Sequence, residues 1–285
     1  MDTAKNISSL PSIGMGIGFR KEIEEQILES QSCIDWLELI AEHYIGRPPE
    51  RVAEVTRLNE VFSLVPHGVE LSIGTSGDLD ARYVDDLALF VHSINAPWFS
   101  DHLSFTRAGD IALGHLTPVV RTWKTVEEIA QKVRHLQGHV GLPFLLENIT
   151  YYVDFPGELS ESEFISAILE QCDCGLLLDL TNVFINATNH KFDAREFLDQ
   201  IPLGRVVQVH LSGGTKTPQG LIDSHSSPVP PEVFDLLRYT VRGAENLKAI
   251  MIERDQNYPA NFEEITRDLL RARQIWTLTV SNSCS

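Results

Sequence analysis

The chain has 285 residues, of which 43% are hydrophobic, and a formal net charge of −17. That length suits one α/β barrel, which takes about 250 residues, and 18 glycines and 14 prolines exclude a collagen-like or largely disordered chain. Such acidity repels phosphate backbones, so no nucleic-acid partner is expected; it serves solubility, or else a basic peptide or protein partner.

The opening Met1-Asp-Thr-Ala-Lys is polar and lacks the basic-then-apolar order of a signal peptide. Residues 1–12 are expected to form a flexible tail on a single domain covering 1–285. From Gly14 onward, short apolar runs alternate with longer amphipathic ones. A strand over Gly14–Phe19 is followed by a helix over Lys21–Glu29, and a strand over Asp35–Ala41 by a helix over Pro49–Glu60. The next units pair strand Phe62–His67 with helix Asp80–Asn95, and strand Trp98–Leu103 with helix Val126–Gln137. Phe144–Asn148 and Gly175–Asp179 read as strands, followed by helices Glu161–Glu170 and Ala194–Gln200. Strand Arg205–Leu211 leads to helix Pro231–Val241, and strand Ala249–Glu253 to helix Phe262–Trp276. Pro49 and Pro231 fit a first helical turn, where a missing N–H costs little. Residues 277–285 form a second flexible tail. No apolar run reaches the length that crosses a bilayer.

Eight strands alternating with eight helices predict an α/β chain folded as a single (β/α)8 TIM barrel. An open doubly wound sheet is the alternative, disfavoured because no GxGxxG follows the first strand. Cys33, Cys172, Cys174 and Cys284 make no CxxC pair or disulfide framework. Cytoplasmic location with reduced thiols follows as the expectation, with Cys172 and Cys174 as small apolar residues beside a buried strand.

Catalytic residues of such barrels lie at the C-terminal strand ends. There the sequence offers Glu42 and His43, His67, Asp101 and His102, Glu147, Asp179 with Asn182 beyond it, His210, Glu253 and Asp255, while the loop after His210 carries Asp223 and His225. A lone His or Glu at such a place is usually structural. So many ionisable groups ending apolar runs would cost several kcal/mol each if buried without compensation. Divalent cations supply that compensation, and carboxylates with imidazoles suit iron, zinc or manganese. Asp223 and His225 stand two apart, so in an extended segment both face one ion. Glu147 is placed to bridge two. Glu42, His43 and Asp101 are expected to orient ligands or relay protons. The other histidines read as structural: His92 and His135 on helices, His115, His139 and His190 in loops. Gly213-Gly214 and Tyr151-Tyr152 would shape the approach of a substrate.

The segments IGMGIGFR, LELIAEHY, VPHGVELSIG, FSDHLSF, LLENITYY, LLLDLTNVFINATNH, VHLSGG, LIDSHSSPVP and MIERDQNYP, in this order, resemble the multinuclear non-heme iron-dependent oxidative enzymes. These are relatives of the methanobactin biosynthesis iron oxidase. The likeness runs from Gly14 to about Trp276 and extends to the wider xylose-isomerase-like superfamily. The resemblance implies two or three iron ions. His67, His102 and Glu147 would serve one, and Glu147, Asp179, His210 and Glu253 a second. Asn182, Asp223 and His225 would serve a third. Glu147 and Asp255 are the candidate catalytic groups, Asp255 as one that orients a ligand imidazole or relays protons. The chain departs from the family pattern with Asp179-Leu-Thr-Asn182 and with Ser224-His225-Ser-Ser227.

The same resemblance implies oxidation, with O2 as co-substrate, of a ribosomally made precursor peptide, usually at cysteine. It also implies a separate partner that recognises the leader. A metal-dependent hydrolase or isomerase on the same barrel is one alternative, since fold does not fix function. A non-catalytic metal- or peptide-binding module is the other.

Overall fold

The structure is a computed structural model and describes residues 6–46, 48–109 and 111–283. Eight parallel strands close into a barrel: β1 (Gly14–Gly18), β2 (Trp36–Ile40), β3 (Ser63–Gly68), β4 (Phe99–His102), then β7 (Phe144–Glu147), β8 (Gly175–Asp179), β9 (Val206–Leu211) and β12 (Ala249–Ile252). Between β4 and β7 the chain makes a two-stranded antiparallel hairpin, β5 (Phe105–Ala108) with β6 (Ile111–Thr117). A second hairpin, β10 (Thr215–Thr217) with β11 (Gly220–Ile222), follows β9. The helices are α1 (Glu24–Glu29), α2 (Pro49–Asn59), α3 (Ala81–Ser93), α4 (Trp123–Val140), α5 (Glu161–Gln171), α6 (Leu180–His190), α7 (Ala194–Gln200), α8 (Pro231–Thr240) and α9 (Glu263–Ser283).

The strands are apolar on both faces because helices cover them outside and side chains fill the barrel inside. Trp36, Val65, Trp98, Leu145, Leu177 and Met251 pack together inside the lower barrel. Side chains in a strand repeat with a period of two. The residues two places on from Val65, Leu145, Leu177 and Met251 are His67, Glu147, Asp179 and Glu253, which therefore face the same interior one layer higher. Trp36 likewise predicts Glu38. Register sets the height: His102 lies opposite Glu147, and Asp179 opposite His210. Gly16 lacks a side chain because a Cβ there would collide with the Trp36 ring.

Three features differ from the sequence expectation. Leu180–His190 is a helix, so His190 ends a helix instead of lying in a loop; Asp179 caps it, its Oδ1 accepting from the Asn182 amide at 2.7 Å. His139 falls within α4 and His115 within β6. Of the two expected tails, residues 7–9 form a 3₁₀ turn whose Ile7, with Leu10 after it, is buried with the interior cluster, and the last helix runs through residues 277–283. Residues 1–5 and 284–285, with Cys284, lie outside the described residues. Cys172 and Cys174 are buried, their sulfurs 3.4 Å apart.

Candidate metal centre

Three groups of donors occupy the C-terminal mouth: His67, His102 and Glu147; Glu147, Asp179 and His210; Asp179, His225 and Glu253. Within each group the donor atoms lie within 4.8 Å of one another. Glu147 joins the first group to the second, and Asp179 joins the second to the third. The Oε2 of Glu147 is 3.3 Å from Nε2 of both His67 and His102. Its Oε1 is 3.3 Å from His210 Nδ1, which lies 3.4 Å from Glu253 Oε2. Two donors each about 2.1 Å from one ion lie roughly 3–4 Å apart, so these spacings fit shared cations.

Hydrogen bonding supports the fit. Buried Oε2 of Glu147, Oδ2 of Asp179, Nδ1 of His210, Oδ1 of Asp223 and Nε2 of His225 have no hydrogen-bond partner among the described residues. Asp223 Oδ1 and His225 Nε2 are 2.8 Å apart but not aligned on each other. Leaving so many buried polar atoms unpaired costs about 1–3 kcal/mol each; a cation among them removes that cost.

The far sides of His67, His210 and His225 are braced, whereas buried His102 Nδ1 has no hydrogen-bond partner among the described residues. His67 Nδ1 meets Ser100 Oγ at 2.8 Å, which turns Nε2 to the cluster. His210 Nε2 lies 3.0 Å from Glu38 Oε2, leaving Nδ1 for the cluster. Gln208 Nε2 donates to the same Glu38 oxygen at 2.6 Å, and Trp98 Nε1 donates to Gln208 Oε1 at 2.8 Å. His225 Nδ1 is 3.1 Å from Asp255 Oδ2, and Arg20 pairs with Asp255. Asp101 lies behind His102, its Oδ1 3.9 Å from Nδ1. Its Oδ2 accepts from the Leu71 amide at 3.1 Å.

Charge is distributed accordingly. Burial alone would raise the Glu147 carboxyl, but the imidazoles of His102, His210 and His67 pull it down to about 2. Burial holds His102 down at about 4 against the pull of Glu147, so its ring is neutral at pH 7, as a ligand must be. Burial, with Glu147 and Asp223 nearby, pushes Asp179 well above the usual carboxylate range. Burial disfavours charged His210, yet Glu38 and Glu147 raise it well above its ordinary value.

The site residues expected from sequence divide clearly. His67, His102, Glu147, Asp179, His210, Asp223, His225 and Glu253 come together. Asn182 is buried beside Asp179, but its amide faces the β7 exit: Nδ2 donates to Asn148 O at 3.0 Å and Oδ1 accepts from Thr150 at 2.5 Å. Glu42 props the β3 exit, Oε1 accepting from the amides of Val69 and Glu70 and from Tyr83 Oη. His43 is exposed, its ring 6.5 Å from that of Tyr44. Asp223 and His225 converge by a different route from an extended segment, since His225 has φ 45° and turns back toward Asp223. Tyr152 Oη accepts from the Asp223 amide at 3.0 Å, tying the β7 exit to that loop. Glu38 and Gln208 were missed because they lie inside strands. Their signal was there: each is a lone polar residue in an apolar run, Leu37-Glu38-Leu39 and Val207-Gln208-Val209.

A D-psicose 3-epimerase solved in the presence of D-fructose superposes with a TM-score of 0.60 at 11% identity, over 93% of this chain and 98% of that one. Endonuclease IV from Thermus thermophilus gives 0.59 at 17%, over 93% and 99%. These likenesses show the fold, a xylose-isomerase-like TIM barrel. The profile of the RiPP precursor modification enzymes MbnB/TglH/ChrH matches residues 14–277. A UPF0276 protein of Acinetobacter baylyi is 31% identical over 249 residues, 87% of this chain and 86% of its own length. The chain belongs to the MbnB/TglH/ChrH family. The family is one of enzymes that modify RiPP precursors, which gives an enzyme with a ribosomally made precursor peptide as its class of substrate. No described helix is long and apolar enough to cross a membrane.

Proposed function

We propose that this chain oxidatively modifies a ribosomally synthesised precursor peptide, at cysteine, with iron at the His/carboxylate cluster and O2 as co-substrate. The observation that carries the reading is the chain of three linked donor groups with unpaired buried atoms, in a member of a peptide-modifying family. His67, His102 and Glu147 would hold one ion; Glu147, Asp179, His210 and Glu253 a second; Asp179, His225 and Glu253, with Asp223, a third. Bound iron would supply the one-electron redox chemistry that no side chain here provides.

The protein's own part is orientation and proton placement. Ser100 and Glu38 fix which nitrogens of His67 and His210 face the cluster. With His210 Nδ1 on an ion, its proton resides on Nε2 and is held by Glu38. Asp255, paired with Arg20, anchors His225 from behind, so its role is positioning, while Glu147 touches the reacting centre. Helix α6 directs its positive N-terminus at Asp179. A cytoplasmic location and a separate leader-recognition protein complete the reading.

The test is anaerobic loading with Fe(II), then exposure to air with a cysteine-containing precursor while oxygen uptake and peptide mass are followed. His67→Ala, Glu147→Ala and His210→Ala are each expected to abolish the mass change. Full iron and full turnover in all three, or tightly held zinc with no oxygen consumed, would overturn the assignment.

A further inference from the structure

The β5–β6 hairpin has no place in the barrel itself. It is fastened to the β3 exit: Ser72 Oγ accepts from the amides of Thr106 and Arg107 at 2.9 and 3.3 Å. The Gly74 amide donates to Ser104 O at 2.9 Å, and Thr75 Oγ1 to Arg107 O at 3.1 Å. Ser72 holds φ 55° to do this, a conformation costly for a residue with a side chain. The result is a fixed wall standing off the barrel mouth.

Between that wall and the β3 exit lies a cavity of about 330 Å³, with His102 in its lining. It therefore reaches one member of the first donor group. Thr106 also lines it, 9% exposed, with its Oγ1 buried and without a hydrogen-bond partner among the described residues. The lips carry opposite charge: exposed Glu70 on the β3 side and exposed Arg107 on the hairpin side. Arg107 has no ion-pair partner among the described residues. The volume is at the lower end of small-ligand sites, enough for a side chain and a short length of backbone and too little for a folded domain.

We propose that this cleft receives the extended segment of the precursor peptide that carries the residue to be modified. The peptide draws the Thr106 hydroxyl out of its buried rotamer into a hydrogen bond, and the Glu70 and Arg107 lips set its direction by pairing with a cation and a carboxylate on either side of that residue. The assignment rests on the peptide-modifying reading above and adds the route by which the peptide reaches His102.

Calorimetric titration of the iron-loaded protein under anaerobic conditions tests it, with two blocked pentapeptides, Ala-Asp-Cys-Lys-Ala and Ala-Lys-Cys-Asp-Ala. The two are expected to differ in affinity by about tenfold, because exchanging the charges turns two weak exposed pairs from attractive to repulsive. The double exchange Glu70→Lys with Arg107→Glu is expected to invert the preference, and Ala112→Trp, on an exposed position of the cavity lining, to abolish binding of both at unchanged iron content. Circular dichroism verifies that the variants fold. Equal affinities in the wild type, no inversion, no binding of either peptide, or undiminished binding to Ala112→Trp each overturns the cleft. Peptide oxidation that proceeds equally in these variants overturns the cleft and leaves the enzyme reading intact. Charge-selective binding with no oxidation in air does the reverse.

Discussion

Glu38→Gln is the most informative single change, because it alters a residue that no ion would touch. Glu38 is 4% exposed, and its Oε2 accepts from both His210 Nε2 and Gln208 Nε2. Gln208 cannot turn to compensate, since Trp98 already donates to its Oε1. A glutamine at 38 keeps the volume and can keep one oxygen toward both donors, but it removes the charge. His210 then loses the charge-assisted bond that fixes its proton on Nε2 and its lone pair on Nδ1. Outer partners of this kind are worth about 10–100-fold in metal affinity, or roughly 1.4–2.7 kcal/mol. Chelator competition followed by elemental analysis should show one class of ion released at 10–100-fold lower chelator, while the far-ultraviolet circular dichroism spectrum is unchanged. A wild-type competition curve in a folded Glu38→Gln protein would refute the reasoning about His210.

Ser100→Ala removes the partner of His67 Nδ1 and should weaken the first ion about tenfold in the same competition assay, with the other ions unaffected. Leu10→Ala empties a buried position at the barrel bottom; thermal unfolding should show a loss of about 2–4 kcal/mol with metal content unchanged. Glu161 supplies a pH test: burial lifts its carboxyl to about 7, against the pull of Arg121 and a Tyr151 hydrogen bond. With a folded value above the unfolded one near 4.5, its contribution is complete below about pH 4.5 and is lost as pH rises through 7. Glu161→Gln should therefore stabilise the protein by about 1–3 kcal/mol at pH 8 and hardly at all at pH 4; denaturant melts giving a less stable variant at pH 8 would contradict this.

The barrel was legible because its signals are local. Apolar strands and amphipathic helices alternate, and each strand expected from sequence overlaps one in the closed sheet. Helix α6 escaped notice because it begins on the functional residue Asp179, whose side chain both caps the helix and faces the donors. The hairpins were overlooked because short two-stranded pieces lack a buried face; β6 is largely exposed. Of the site, the residues at strand ends were visible, since a charge that closes an apolar run stands out. The interior partners were not. Placing Glu38 against His210 requires strands β2 and β9 to face each other across the barrel, a contact 172 residues apart in sequence. The amide of Asn182 also depends on tertiary neighbours, Asn148 and Thr150, that no spacing reveals.

The central claim is that linked donor groups form one multi-ion centre with Glu147 as a bridge. Anaerobic titration with Fe(II), counting ions retained per chain after gel filtration, tests it directly in the wild type and in Glu147→Ala. At least two ions are expected in the wild type, and more than one is expected to be lost from the variant, because Glu147 serves two groups. A single ion in the wild type, or a folded Glu147→Ala protein that keeps its full complement, would contradict the account.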